Sequence, residues 1–210
     1  MITGHIVHLF VSLFVISNPL GNLPIFIGLT EGYDKARRRH AVWIVFIASA
    51  IIMLVTEWAG KWILHFFGIT INAFTLGGGF VIFMIGYSML MSKTSPIQHT
   101  PEEHQIAKEK ESSIAVVPMS IPLLAGPGTM STIIMITAHD PTVTAQLWDS
   151  LVIVVLMVVI LVLLLFSNLI SRGLGPAGVK IVTRIMGLVL LAIAVGMMAH
   201  AAIALFPGLR

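Results

Sequence analysis

Two short stretches set prolines, glycines and neutral polar residues together inside apolar runs: SNPLGNLP, Ser17 to Pro24, and SIPLLAGPGTMST, Ser120 to Thr132. Neither holds an acid, a base or a cysteine. They offer hydroxyls and amides (Ser17, Asn18, Asn22, Thr129, Ser131, Thr132), glycines (Gly21, Gly126, Gly128) and prolines. The chemistry open to such a set is recognition, by neutral donors and acceptors and by backbone groups released where a helix is broken.

Both stretches interrupt apolar runs. A proline inside a helix removes one hydrogen bond and clashes with the carbonyl four residues back. In a bilayer the freed groups are tolerated only when buried in protein or lining a watery cavity. A half-helix starting near Gly21–Asn22, and another starting near Gly128–Thr129 from the opposite side, would point N–H groups inward with partial positive charge. The halves ending near Ser17 and Ile121 would present free carbonyls, and the glycines let a ligand approach the backbone closely. Partial charges of both signs without a full charge suit a small zwitterion. The expected binding residues are Asn18, Pro19, Gly21, Asn22, Ala125, Gly126, Pro127, Gly128 and Thr129, with Ser17, Thr75, Gly77, Gly78, Ser131 and Thr132 as a secondary set. The plainer reading is that the prolines only kink helices for packing. TLGGGF, Thr75 to Phe80, reads first as a helix-packing stripe and only second as a ligand contact, and Gly187 and Gly196 read the same way.

The elements that must carry these stretches follow from composition. Of 210 residues 57% are hydrophobic and 10% charged, against roughly 45–50% and about 25% in soluble domains. Lipid is therefore the expected solvent. Six spans are expected, at about 4–30, 41–64, 73–91, 113–138, 147–170 and 184–206, each long enough for the roughly 20 apolar residues a crossing needs. The chain reads as an all-α integral membrane protein whose first and fourth helices are broken near the midplane. Its first segment, with no Lys or Arg ahead of the apolar run, reads as a retained span.

Lys35, Arg37, Arg38, Arg39, Lys93, Lys108, Lys110, Arg172, Lys180 and Arg184 fall in alternate connections, leaving only Lys61 and Arg210 on the other side. The positive-inside rule then makes the Lys35–Arg39 loop and the 92–112 linker cytoplasmic and puts both termini outside. Trp43, Trp58, Trp62 and Trp148 fall near expected span ends, at headgroup level.

The second motif repeats the first. Ser17, Pro19, Leu20 and Pro24 match Ser120, Pro122, Leu123 and Pro127 at an offset of 127 − 24 = 103 residues. That offset lays the second span on the fifth, and a shift of a few residues lays the third on the sixth. Residues 1–91 and 113–210 thus read as two three-helix repeats joined by the linker 92–112. An odd number of spans per repeat gives the halves opposite topology, the sequence pointer to a secondary transporter with a midplane site.

Other residues carry less. Glu57, one turn before Lys61, reads as half of an interfacial i,i+4 ion pair, with a proton-coupling group as the sharper alternative. His5 and His8 lack a third metal ligand, and His99, Glu102, Glu103 and His104 read as solvated linker charge. No cysteine, phosphate loop, HExxH pair or nucleophile elbow is present. No enzyme activity, cofactor, metal or nucleic-acid partner is expected.

NPLGNLPIFIGLT followed by IPLLAGPGTMSTIIM, with VTRIMGLVLL before the last span and the ending LFPGL, closely resembles the MarC family of six-span inner-membrane proteins over the whole chain. The resemblance implies an inner-membrane location and transport of small neutral amino acids such as glycine and alanine, and supplies that substrate class. Some relatives carry Asp where this chain has Asn18, which cannot titrate; a proton mechanism centred on that position is therefore in doubt. Coupling to a proton or to sodium stays open. The competing readings are an exporter of hydrophobic drugs, against which the small and polar break residues speak, and a non-transporting membrane scaffold or regulator, which leaves the paired breaks unexplained.

Overall fold

The computed structural model describes residues 2–30, 32–91, 124–138, 142–206 and 208. Among them are seven helices and no strand: α1 (Ile2–Ser17), α2 (Pro19–Leu29), α3 (Lys35–Phe66), α4 (Ile71–Leu90), α5 (Pro127–Thr137), α6 (Val143–Leu165) and α7 (Ser167–Leu205). Five stretches among the described residues are long and apolar enough to cross a membrane: Gly4–Leu29, Lys35–Phe66, Ile71–Leu90, Val143–Leu165 and Ala177–Leu205. The linker 92–112 and the first half of the fourth expected span lie outside the described residues, as do Ser120, Ile121, Pro122 and Leu123 of the repeat motif.

Several boundaries differ from those the hydropathy suggests. The basic residues 35–39 are the first turns of α3 and not a loop, because Asp34 caps the helix by accepting a hydrogen bond from the Arg37 N–H at 2.7 Å. Lys and Arg are good helix formers, so the helix runs past the apolar stretch. The fifth span ends at Leu165, short of 170, and α7 begins at Ser167. The connection expected around Arg172 and Lys180 is itself helical, interrupted only at Gly175 (φ 63°, ψ 173°). Glycine accepts that positive φ, and the following Pro176 disfavours a helical residue before it.

The first break is a single residue. Asn18 separates α1 from α2 in the left-handed region (φ 45°, ψ 54°), with its side chain accepting from the Gly21 N–H at 3.2 Å. Asn is one of the few residues that enters this region and caps a helix at once. Pro19 follows in the first turn, so α2 starts there rather than near Gly21. The second break is an extended cap at Gly126 (φ −75°, ψ −179°), and α5 starts at Pro127 rather than Gly128. At the 103-residue offset Gly126 corresponds to 126 − 103 = 23, and Leu23 lies inside α2. The two described breaks are therefore not in register: one turns on a left-handed Asn, the other on an Ala-Gly-Pro-Gly run.

The helices pair antiparallel. On α4 and α7, Gly79 meets Ala194 and Met198, and Gly86 meets Gly187 and Leu191. The last contact is reciprocal: a Cβ on Gly86 would lie 2.8 Å from the Gly187 carbonyl, and a Cβ on Gly187 would lie 2.8 Å from the Gly86 carbonyl. Along α3 and α6, Arg38 donates to Ser167 Oγ, two residues past the end of α6 at the start of α7, and Trp58 donates to Ser150 Oγ at the other end. The core joins Leu9, Leu13, Leu23 and Phe26 to Leu124, Ala125, Leu156 and Ile160. Apolar side chains such as Val11, Ile51, Val158 and Leu188 line the outside, and all four tryptophans are exposed. Gly77 and Gly196 have open space around them, so the packing role expected of Gly196 is not found.

Two predictions follow from this backbone. Gly86→Val should cost about 1–3 kcal/mol, the usual penalty for overpacking, read as a lowered unfolding midpoint in detergent, whereas Gly77→Ala should be close to neutral. Asn18→Val, which forces a β-branched residue to positive φ and removes the cap, should cost about 1–3 kcal/mol, and Asn18→Gly clearly less.

Candidate functional site

The interior between the two helix breaks shares one wall, α4. Asn18 Nδ2 donates to Met89 Sδ at 3.3 Å, and the Met89 methyl abuts Gly21. Farther back along α4, Ile82 abuts Gly128, and Gly78 abuts the Pro127 carbonyl and Ser131. Ile82 and Met89 are seven residues apart, about 10 Å of helix rise. Through these contacts the two breaks face α4 within two turns of each other.

Most polar groups at the breaks are already bonded within the protein. Thr129 Oγ1 donates to the Leu124 carbonyl at 3.0 Å and Thr132 Oγ1 to that of Gly128 at 3.0 Å. Ser131 Oγ reaches the Pro127 and Phe74 carbonyls, at 2.7 and 3.1 Å. Asn22 Nδ2 donates to the Ser17 carbonyl at 3.0 Å, tying α2 back to the end of α1. Of the expected binding side chains, Asn18, Thr129, Ser131 and Thr132 therefore have partners that a ligand would have to replace.

Three oxygens do not. Ser17 Oγ, Asn22 Oδ1 and Thr75 Oγ1 are buried and have no hydrogen-bond partner among the described residues. Leaving a polar atom in that state costs about 1–3 kcal/mol, and native proteins keep few of them. Ser17 and Asn22 flank the first break. Thr75 lies on α4 next to Phe74, whose carbonyl holds Ser131 of α5. No side chain caps the start of α5, so its first N–H groups are served by no residue at the cap position. Pro19, Gly21, Ala125, Gly126, Pro127 and Gly128 contribute backbone and close approach; Gly77 touches neither break, with nothing within contact of its missing Cβ.

A second buried polar group stands apart from the breaks and corrects the reading of Glu57. Its side chain is not paired with Lys61 at the surface. Glu57 is 3% exposed, and its Oε2 accepts a hydrogen bond from Ser150 Oγ at 2.8 Å. Helix α3 turns Glu57 toward α6, while Lys61, although one turn on, is exposed. A second carboxylate is buried within a span. Asp149, 1% exposed on α6, lies 2.8 Å from His5 Nε2 of α1. The sequence did carry a signal for it: an acid within the apolar run 147–170, followed by a serine. No group of three or more His, Cys, Asp or Glu among the described residues could hold a metal ion.

The family model described as MarC family integral membrane protein matches residues 3–206. The UPF0056 membrane protein YvbG of Bacillus subtilis is 39% identical over 99% of this chain and 98% of its own length. The UPF0056 membrane protein PYRAB13050 of Pyrococcus abyssi is 33% identical over 90% of both. The UPF0056 membrane protein YhcE of Escherichia coli is 30% identical over 95% of this chain and 93% of its own. No solved structure matches. With apolar helices of spanning length and this match over nearly its whole length, the chain belongs to the MarC family of integral membrane proteins.

Proposed function

We propose that this chain is a secondary transporter of small neutral amino acids, of the glycine and alanine class, working by alternating access of two inverted three-helix repeats. The observation that carries the reading is the set of unpaired buried oxygens, Ser17 Oγ, Asn22 Oδ1 and Thr75 Oγ1, at two helix breaks free of full charges. The substrate ammonium is received by Ser17, Asn22 and the carbonyl end of α1. Its carboxylate is received by the uncapped start of α5, whose macrodipole favours negative charge. A net-charged solute would leave one charge unmatched.

The antiparallel pairing of α3 with α6 and of α4 with α7 supports opposed halves, as does the reciprocal Gly86–Gly187 contact. The break residues are buried in this structure, which fits a closed state of the cycle. The protein resides in the inner membrane with Lys35 to Arg39 on the cytoplasmic side and both termini outside, in keeping with the positive-inside rule. An apolar cleft of about 330 Å³ lies between α1 and α6, lined by residues such as Phe10, Trp148 and Val152. It includes no residue of either break and so lends the drug-export alternative nothing at the site.

The test is uptake of labelled glycine and alanine into proteoliposomes. Saturable uptake is expected in the wild type. Asn22→Ala and Gly126→Leu should lose about tenfold or more, the equivalent of one well-formed hydrogen bond. Ser17→Ala and Thr75→Val separate binding from folding. Each removes an oxygen with no partner among the described residues, so unfolding midpoints should hold or rise while KM for alanine rises about tenfold. Absence of uptake under proton, sodium and zero gradients would transfer the assignment to the scaffold reading.

A further inference from the structure

The geometry points to a membrane-embedded proton site at Glu57, built with Asp149 and His5 at the end of the molecule opposite Lys35–Arg39. As a coupling site it rests on the transport reading; as a proton site it does not.

The site is assembled from three helices around two consecutive residues of α6. Asp149 holds His5 of α1, and Ser150 holds Glu57 of α3. Ser150 Oγ also accepts from Trp58 Nε1 at 3.0 Å, which fixes the direction of its own proton toward Glu57 Oε2. Glu57 Oε1 is left buried without a hydrogen-bond partner among the described residues. Ionisable residues inside membrane helices are rare and mark ion or proton pathways by default.

Charge balance decides what the free oxygen takes. Among the described residues the site has two acids and one base. With the imidazole charged, one carboxylate charge still has no counterpart, in surroundings where an unmatched charge is costly. Among the described residues the other titratable groups near this end do not supply it. Lys61, His65 and His8 are exposed. On α7, His200 is exposed and its Nδ1 contacts the Gly196 carbonyl at 2.8 Å. Helices α2 and α5 carry no titratable side chain. Uptake of a proton forms an O–H bond at Glu57 Oε1 and cancels the remaining charge; release returns the proton to water. His5, whose side chain is 37% exposed, is the member of the site in contact with the outside. The site belongs to one repeat interface only, since Ile160 occupies the position 103 residues after Glu57.

Infrared difference spectroscopy across a pH titration tests this directly. The full-length protein is placed in phosphatidylethanolamine–phosphatidylglycerol vesicles. At neutral pH the wild type should show a protonated-carboxyl C=O band that disappears on raising the pH. The band should be absent in Glu57→Gln and restored at a shifted frequency in Glu57→Asp, which shows that its loss is not misfolding. A wild type without the band, or a band unchanged in Glu57→Gln, overturns the proton site. The coupling role is read in the same vesicles from alanine accumulation driven by a pH gradient. It should be lost in Glu57→Gln and partly kept in Glu57→Asp; accumulation that survives in Glu57→Gln overturns that role. Alanine counterflow in the wild type, without any gradient, judges the transport reading alone. If counterflow is absent, transport fails while the infrared titration still decides the proton site.

Discussion

Hydrocarbon cannot hydrogen-bond a peptide group, and that single constraint organises this molecule. Each place where a helix is interrupted must find its partners inside the protein. At Asn18 the side chain itself caps α2 and its backbone N–H returns to the carbonyls of Phe14 and Val15. Asn22 closes the remaining gap by donating to the Ser17 carbonyl. At the second break Thr129, Ser131 and Thr132 all spend their hydroxyls on nearby carbonyls. Among the described residues the unpaired oxygens that survive this saturation are conspicuous for that reason: Ser17 Oγ, Asn22 Oδ1 and Thr75 Oγ1 near the breaks, Glu57 Oε1, and Ser49 Oγ farther along α3.

The same constraint explains how α4 and α7 are matched. Between helices in lipid the gain comes from close packing and not from removal of water. Gly79 and Gly86 of α4 and Gly187 of α7 let the backbones approach to contact. Helix α4 then has its other side free to serve as the wall of both breaks, through Gly78, Ile82 and Met89. One helix is therefore both half of a tight, reciprocal pair and the floor of the interior cluster. A displacement of α4 relative to α1 and α5 would alter both breaks at once.

Glu57 and Asp149 obey the constraint in another way. Carboxylates in a bundle of this kind must be shared between helices, and here adjacent residues of α6 gather one helix each. This ties α1, α3 and α6 at the end remote from the basic residues. At the basic end Arg38 repeats the pattern with Ser167, its guanidinium also lying over the Phe26 ring at 5.5 Å. The bundle is thus pinned by polar contacts at its two ends and by apolar packing between.

By itself the sequence determined that the chain is helical and embedded in lipid, where most spans lie, that helices break within the two Pro-Gly stretches, and which family it belongs to; the exact break residues, Asn18 and Gly126, came from the structure. These follow from local rules: apolar length, proline and glycine geometry, and the charges at span ends. Only the tertiary structure decided the rest. Whether Lys35 to Arg39 form a loop or a helix depended on the Asp34 cap. Whether Glu57 faces Lys61 or α6 depended on which side of α3 meets a neighbour, which a nearly uniformly apolar helix does not reveal. Which hydroxyls at the breaks are free depended on carbonyls brought in from other helices, as Phe74 is to Ser131. Periodicity is silent on such partners because lipid and protein interior look alike to an apolar side chain; only contact distinguishes them.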